Sequence, residues 1–159
     1  FQTRLKWGEQ KRVFSMIPGL ENAEFARYGV MHRNTYLNSP DVLGRNYALA
    51  SDPLLRFAGQ LTGVEGYMES AASGLVAAIG LFKALRGEPE PDFTGRTVLG
   101  ALERHVRTKA RDFQPMNANF GILDPPDQQV RGKRNRCERL SERALQELDR
   151  IKDECELRS

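Results

Sequence analysis

The stretch Phe57-Ala58-Gly59-Gln60-Leu61-Thr62-Gly63-Val64-Glu65-Gly66-Tyr67-Met68-Glu69-Ser70-Ala71-Ala72-Ser73-Gly74 decides the fold. It reads as a strand end, a turn with three glycines, and the start of a long helix of small residues. Gly59, Gly63 and Gly66 remove the Cβ atoms that would hold a ligand off the backbone, and they accept φ > 0 where the turn needs it. A helix starting near Glu69 aims roughly half a positive charge at its N-terminal end. Backbone N–H groups and that dipole together suit an anionic or electron-rich ligand. Gln60, Thr62 and Glu65 can hydrogen-bond sugar-like hydroxyls, and Tyr67 can flank a ring. The Gly-x3-Gly-x2-Gly spacing is not the Gly-x-Gly-x-x-Gly fingerprint of a dinucleotide fold. A tight structural turn would use the same spacing.

Working outward, Lys6 to Ile17 predicts a helix with Leu5, Val13, Phe14 and Ile17 available for burial, stopped by Pro18-Gly19. Phe25 to Leu37 is rich in β-formers, broken by Gly29 and dense in hydrogen-bonding side chains from His32 to Tyr36. Asn38-Ser39-Pro40-Asp41 is a turn, Tyr47 to Ala50 a short strand, and Leu54 to Ala58 a short, apolar, buried strand. The helix after the glycine turn is expected over Glu69 to Leu85. Gly87 to Asp92 reads as a solvated connector. Thr97 to Lys109 gives an amphipathic helix with Val98, Leu99, Leu102 and Val106 on one face. Phe113 to Leu123 reads as a loop with a short strand, and Lys133 to Leu157 as a final helix. Strands alternate with helices, so the expected class is α/β. The segments group as 1–53, strand-rich; 54–87, strand–turn–helix; and 88–159, helices and a loop.

The 159 residues, 40% hydrophobic and 28% charged, have the size and balance of one globular domain with a sizeable core. The chain opens on Phe1-Gln2-Thr3 without a signal-peptide pattern, and a piece of a longer protein is expected. The longest apolar run, Gly74 to Phe82, is too short to span a bilayer, so the expected location is cytoplasmic, with no membrane partner. Net charge is +3 and the pI about 9.0, but the clustering says more. Arg104, Arg107, Lys109 and Arg111 form one acid-free group. Arg131 to Arg143 holds six basic residues, Lys133, Arg134, Arg136 and Arg139 among them, against Glu138 and Glu142. Such clusters suit phosphate binding; a solvated helix face is the competing reading. Cys137 and Cys155 stand on the stripe Cys137, Leu140, Ala144, Leu148, Ile151, Cys155 and read as packing residues. With no Cys-x-x-Cys pair and only two histidines, no metal is expected.

Phe57 through Gly74 resembles the flavin-contacting motif near the C-terminus of the TrmFO family, folate-dependent tRNA uracil-5 methyltransferases related to the GidA/MnmG tRNA-modifying flavoproteins. The resemblance continues in Met16-Ile17-Pro18-Gly19-Leu20-Glu21-Asn22-Ala23-Glu24-Phe25 and in Arg27-Tyr28-Gly29-Val30-Met31-His32-Arg33-Asn34-Thr35-Tyr36. It recurs in Phe113-Gln114-Pro115-Met116-Asn117-Ala118-Asn119-Phe120-Gly121 and Glu142-Arg143-Ala144-Leu145. It implies FAD as cofactor, methylenetetrahydrofolate as methylene donor, NAD(P)H as reductant and the T-loop uridine of tRNA as acceptor. The implied fold is a glutathione-reductase-like FAD-binding domain, of which this chain is the C-terminal third. The FAD pyrophosphate segment and the catalytic cysteines are expected upstream, so no catalytic residue is assigned within the chain. Cys137 and Cys155 match neither of those cysteines.

On that resemblance the cofactor contacts are Gly59, Gln60, Thr62, Gly63, Val64, Glu65, Gly66 and Tyr67. His32, Arg33 and Asn34 are expected at a strand end facing the flavin, where an imidazole could stack on the pterin; a polar strand edge is the plainer alternative. Met116, Asn117 and Asn119 are candidates for the same folate pocket, or ordinary loop caps. Arg104, Arg107, Lys109, Arg111, Lys133, Arg134, Arg136 and Arg139 become tRNA contacts, split over more than one helix face. A GidA-type enzyme of wobble uridine and a non-catalytic RNA-binding module are the alternatives. The second leaves the glycine turn unexplained.

Overall fold

The computed structural model describes residues 3–29 and 35–155. The chain forms two compact units, 1–34 and 35–159, described here one at a time.

The first unit holds helix α1, Trp7–Phe14. It ends four residues before Pro18, because the Met16 and Ile17 N–H groups bond to Val13 and Phe14, tightening the last turn to i→i+3 spacing. Gln10 is buried, and its amide clamps Gly29: Nε2 donates to the Gly29 carbonyl (2.7 Å) and Oε1 accepts the Gly29 N–H (2.9 Å). Trp7, Tyr28, Phe25 and Phe14 stack in series, with centroids 6.1, 5.5 and 5.9 Å apart. These contacts explain why the β-forming residues 25–29 are not a strand. Gln10 supplies the backbone partner that a neighbouring strand would supply, and the rings turn onto α1. The expectation of a strand-rich 1–53 is therefore corrected. Its described residues carry only a two-residue strand and the first residues of another.

The second unit begins with a four-residue helix α2, Ser39–Val42, with Pro40 in its first turn. A 3-10 turn over Arg45–Tyr47 leads into β1, Ala48–Leu49, which pairs antiparallel with β2, Asp52–Arg56. Helices α3, Tyr67–Leu85, α4, Val98–Arg107, and α5, Lys133–Glu154, complete it. Helices and strands are thus mixed, but among the described residues the sheet has two strands and helices dominate. β2 lies where a strand was expected, yet it is exposed along most of its length, with Leu54 and Leu55 open to solvent. A two-stranded ribbon offers one partner and no covering layer, and Pro53 is acceptable there because it sits at an edge.

The core gathers Tyr47, Val64, Val76, Phe93, Leu102, Val106, Phe113 and Ile151, with Leu123 and Leu140 in a smaller cluster. Thr97 caps α4: its Oγ1 accepts the Gly100 N–H (3.0 Å) and donates to the Phe93 carbonyl (2.5 Å). On α5 the stripe read from sequence is the inward face, with Leu140, Ile151 and Cys155 buried. Both thiols are free, and burial pushes the Cys155 thiol up from its ordinary range.

The connector after α3 is pinned rather than merely solvated. Arg56, 3% exposed, makes a two-pronged pair with Glu90 (2.9 and 2.8 Å). Asn46 Nδ2 donates to Glu90 (2.9 Å) and to the Pro91 carbonyl (3.1 Å), and its own N–H donates to Glu103 (3.1 Å). These bonds hold Asn46 and Tyr47 at φ 50° and 59°, a left-handed pair without glycine that costs about 1–3 kcal/mol per residue. The bend sends β1 back toward β2 and so sets where the glycine turn begins.

α3 also departs from expectation. Counting a strict apolar run breaks at Ser73 and Lys83, but over Tyr67–Leu85 the mean hydropathy is 1.3, long and apolar enough by composition to cross a membrane. Only 28% of that window is buried. Met68, Ala71, Leu75, Ala78, Phe82 and Leu85 recur every three or four residues and form one exposed apolar face. Met68 is 80%, Leu75 57%, Phe82 53% and Leu85 66% exposed.

Candidate functional site

The glycine turn runs from the end of β2 through a 3-10 turn, Gly59–Thr62, into α3. Gly59, Gly63 and Gly66 all have positive φ, +67°, +86° and +101°. Internal bonds fix the entry. The Gly59 N–H donates to Ser73 Oγ (2.7 Å), which donates to the Ser70 carbonyl (2.7 Å). Thr62 is fully buried; its hydroxyl donates to the Gly59 carbonyl (2.8 Å), and Ser39 Oγ donates to the Thr62 carbonyl (2.8 Å). The Thr62 hydroxyl is thereby committed to shaping the turn, and its expected bond to a cofactor hydroxyl is not available in this arrangement.

Gly63 is required twice over, by its φ and by Phe113. A Cβ there would lie 2.5 Å from Phe113 Cζ. The Phe113 ring is buried between the Tyr36 ring (centroids 6.0 Å apart) and the His105 ring (5.4 Å). Gly63→Ala is expected to destabilise the fold by about 2 kcal/mol through left-handed strain and overpacking. Urea unfolding measures it, with Phe113→Leu recovering part of the loss; an unchanged midpoint would contradict the account.

Val64 is buried and forms a parallel bridge with Met116. The Met116 N–H donates to the Gly63 carbonyl (2.9 Å), and the Glu65 N–H donates to the Met116 carbonyl (2.9 Å). The Glu69 carboxylate folds back over Gly66 and accepts the Ala118 N–H (3.1 Å). The structure therefore brings the turn and the 113–118 loop side by side. Val64 contributes a buried anchor rather than a side chain facing a ligand. Met116 contributes its backbone. Asn119 donates to the Asn117 carbonyl (3.1 Å) and accepts the Gly121 N–H (2.9 Å), the behaviour of a loop cap; Asn117 is exposed.

What remains open at the turn is Gln60, Tyr67 at 98% exposure, part of Glu65, and the start of α3. Gly66 caps α3 without a side chain, and the first-turn amides Tyr67, Met68 and Glu69 have no acceptor within the helix. That end offers N–H donors and a positive dipole to an electron-rich edge. His32, Arg33 and Asn34 lie outside the described residues.

The basic candidates divide. Arg104 donates to Asp124 (2.6 Å) and the Ile122 carbonyl (2.9 Å), tying α4 to the loop that follows it. Arg107 pairs with Glu103 (3.0 Å), Arg134 with Glu138 (2.9 Å) and Arg139 with Glu142 (3.2 Å). Lys109, Arg111, Lys133 and Arg136 are exposed. Sequence reading missed Arg96 and Arg143, which hold the 124–127 loop. Arg143 follows Leu140 by three positions, and that spacing on the inward stripe is the one sequence signal of its burial. Among the described residues no group of His, Cys, Asp or Glu is arranged to hold a metal ion.

Residues 1–89 match the family described as Glucose inhibited division protein A. Curated relatives named Methylenetetrahydrofolate--tRNA-(uracil-5-)-methyltransferase TrmFO are similar over most of the chain. The one from Streptococcus agalactiae is 55% identical over 153 residues, 95% of this chain and 34% of the relative. The one from Streptococcus thermophilus is 55% identical over 155 residues, 96% of this chain and 35% of the relative. That from Desulfitobacterium hafniense is 54% identical over 153 residues, 96% and 35%. The chain spans about a third of the length of these relatives. With the family match covering more than half of its residues, the chain belongs to the Glucose inhibited division protein A family.

Proposed function

We propose that this chain forms the flavin-ring side of an FAD- and folate-dependent tRNA uracil-5 methyltransferase that makes 5-methyluridine in the T-loop. The observation that carries the reading is the glycine turn set against an uncapped helix N-terminus, in a chain about 55% identical to relatives named for that reaction. The residues fit a flavin edge. Three left-handed glycines set the path of the turn, and the α3 amides face where negative charge would collect. Bound FAD would supply the electrons that reduce the folate-borne methylene to a methyl group, with NAD(P)H as their source.

This chain's own residues bind and orient. The first-turn amides of α3 would stabilise an anionic ring edge, Gln60 and Glu65 would hydrogen-bond the ribityl chain, and Tyr67 would flank the ring. Gly59, Gly63 and Gly66 supply the left-handed backbone of the turn, with Phe113 and Glu69 packed where Gly63 and Gly66 lack a Cβ, while Thr62 and Val64 hold the turn in shape. His32, Arg33, Asn34, Met116 and Asn117 are proposed for the folate side. No catalytic residue is assigned here. The glutathione-reductase-like fold, with 54–87 as its flavin motif between 1–53 and 88–159, belongs to the same proposal, as does a cytoplasmic location. The exposed apolar face of α3 supports it, since further chain of the same enzyme would cover that face. The shared name of the relatives favours this reading over a GidA-type wobble-uridine enzyme and over a non-catalytic RNA-binding module.

The RNA contact is tested by reversing Arg134 and Arg136 to glutamate in the complete enzyme. Affinity for tRNA is expected to fall, and the log–log salt slope to shrink by about 1 to 2, the release expected of one or two phosphates. An unchanged slope would remove these residues from the interface.

A further inference from the structure

The loop from Asp124 to Val130 runs along one face of α5 and leaves a cleft of about 240 Å³, lined by Arg96, Arg139 and Arg143 together with Gln128, Gln129 and Gln146. That is below the ~300–1,000 Å³ of clefts that take drug-sized ligands, and it suits a small polar group. Asp127 stands in it. Arg96 grips this carboxylate with both prongs, Nη1 at 3.1 Å and Nη2 at 2.7 Å. Arg143 Nη1 lies 3.7 Å from the same carboxylate. The Arg143 guanidinium is buried and braced from below: it donates to the Pro125 carbonyl (2.5 Å) and the Asp124 carbonyl (2.7 Å), and its Nε has no acceptor among the described residues. The Glu147 carboxylate stands 3.9 Å from Arg96 Nε, and Arg139 pairs with Glu142 at the rim.

A carboxylate held by an arginine fork, with a second guanidinium behind it, has the recognition geometry of a phosphate. The charges nearly balance with Asp127 in place, so an anion enters by replacing that carboxylate rather than by joining it. Asp127 can leave at little cost, because it is 60% exposed and sits on a loop. The arginines are more constrained, since Arg143 is tied down by two carbonyls. Just before and at the start of α5, Arg131, Lys133 and Arg136 carry exposed positive charge for flanking phosphates.

We propose that this cleft is a seat for one backbone phosphate of RNA, and that Asp127 occupies it as an internal stand-in until RNA displaces it. This rests on the reading of RNA as a partner but not on the flavin chemistry. The test is binding of a single-stranded oligouridylate to this chain, measured against salt. Asp127→Asn is expected to tighten binding by about two- to fivefold, the scale of one exposed ion pair. Glu154→Gln removes the same charge at the far end of α5, away from the cleft and from the proposed RNA contacts, and should have a smaller effect. Arg96→Lys keeps the charge but loses the fork, and should weaken binding at unchanged helicity. Equal effects of Asp127→Asn and Glu154→Gln, or no effect of Arg96→Lys, would overturn the proposal. So would inorganic phosphate binding to Asp127→Asn without competing with the oligonucleotide. In the complete enzyme, methylation unaffected by Arg96→Lys at every salt would remove the seat and leave the functional reading. Cleft-dependent binding without methylation would do the reverse.

Discussion

Mixed with the remaining two-thirds of one of its relatives, this chain is expected to recover stoichiometric flavin absorbance that neither piece shows alone. The ring-side surface proposed at the glycine turn presents only backbone amides, Gln60, Glu65 and Tyr67, and these do not enclose a cofactor. The same experiment reads the exposed face of α3. In the assembled enzyme Met68, Leu75, Phe82 and Leu85 would be buried, a gain of about 1.5–3 kcal/mol for each fully covered side chain. Leu75→Asp and Phe82→Asp place a carboxylate in that interface, where burying it without a partner is severely unfavourable. Each is expected to lower reassembly by about a hundredfold or more. The fold of the isolated chain should be unaffected, because both side chains are already exposed in it. Flavin bound tightly by the isolated chain, or full reassembly with both aspartates present, would contradict the half-site account.

Removing Glu90 should be the most damaging single change within the second unit. Arg56 is almost fully buried and Glu90 about a quarter exposed, so Glu90→Ala leaves a guanidinium in the interior without its counter-charge. The loss is expected near the lower end of the ~3–5 kcal/mol typical of broken buried pairs, a large part of the ~5–15 kcal/mol that stabilises a domain. Losing the carboxylate also frees Asn46, whose left-handed backbone it helps to hold. Glycine at position 80 of α3 reports how tightly this network is set, since a Cβ there would lie 2.6 Å from Arg56 Nη1 and 2.7 Å from Asn46 Cβ.

The pair carries a pH signature. The Arg56 hydrogen bond, opposed by partial burial and aided by Asn46, holds the Glu90 carboxyl below the ordinary carboxylate range. A depressed carboxyl favours the fold when ionised. Its contribution is fully present above the unfolded value of about 4.3 and is lost as pH falls through the lower, folded value. Urea midpoints of the native chain and of Glu90→Gln should therefore differ most near neutrality and converge in acid. A gap that stays constant from neutrality to strong acid would mean that the pair contributes nothing through ionisation.

The helices were legible because their signals are local. The 3.6-residue spacing of Val98, Leu102 and Val106 and the α5 stripe depend on neighbours within a few turns. The turn was legible for the same reason, since three glycines in eight residues announce positive φ whatever surrounds them. Burial was not. β2 has the composition of a core strand, yet what covers a strand lies far away in sequence, and here the described residues leave it open. The β-forming run before Tyr36 failed in its described part for a similar reason. One amide, Gln10, took the place of a strand partner across 19 residues.

For the candidate site the division is sharper. Sequence by itself determined the strand–turn–helix order, the backbone freedom of Gly59, Gly63 and Gly66, and the polarity of the α3 N-terminus. These follow from side-chain size and chain direction alone. Only the tertiary structure decided which of the neighbouring side chains stay free. It spends Thr62 and Val64 on holding the turn, brings Met116 alongside Gly63, and turns Asn119 into a loop cap. It also buries Arg143 behind Asp127 and leaves Leu75 and Phe82 in water. A side chain's availability depends on what packs against it: Met116 reaches Val64 and Asp127 reaches Arg143 from segments well apart in sequence, while the Asn119 bonds stay within its own loop.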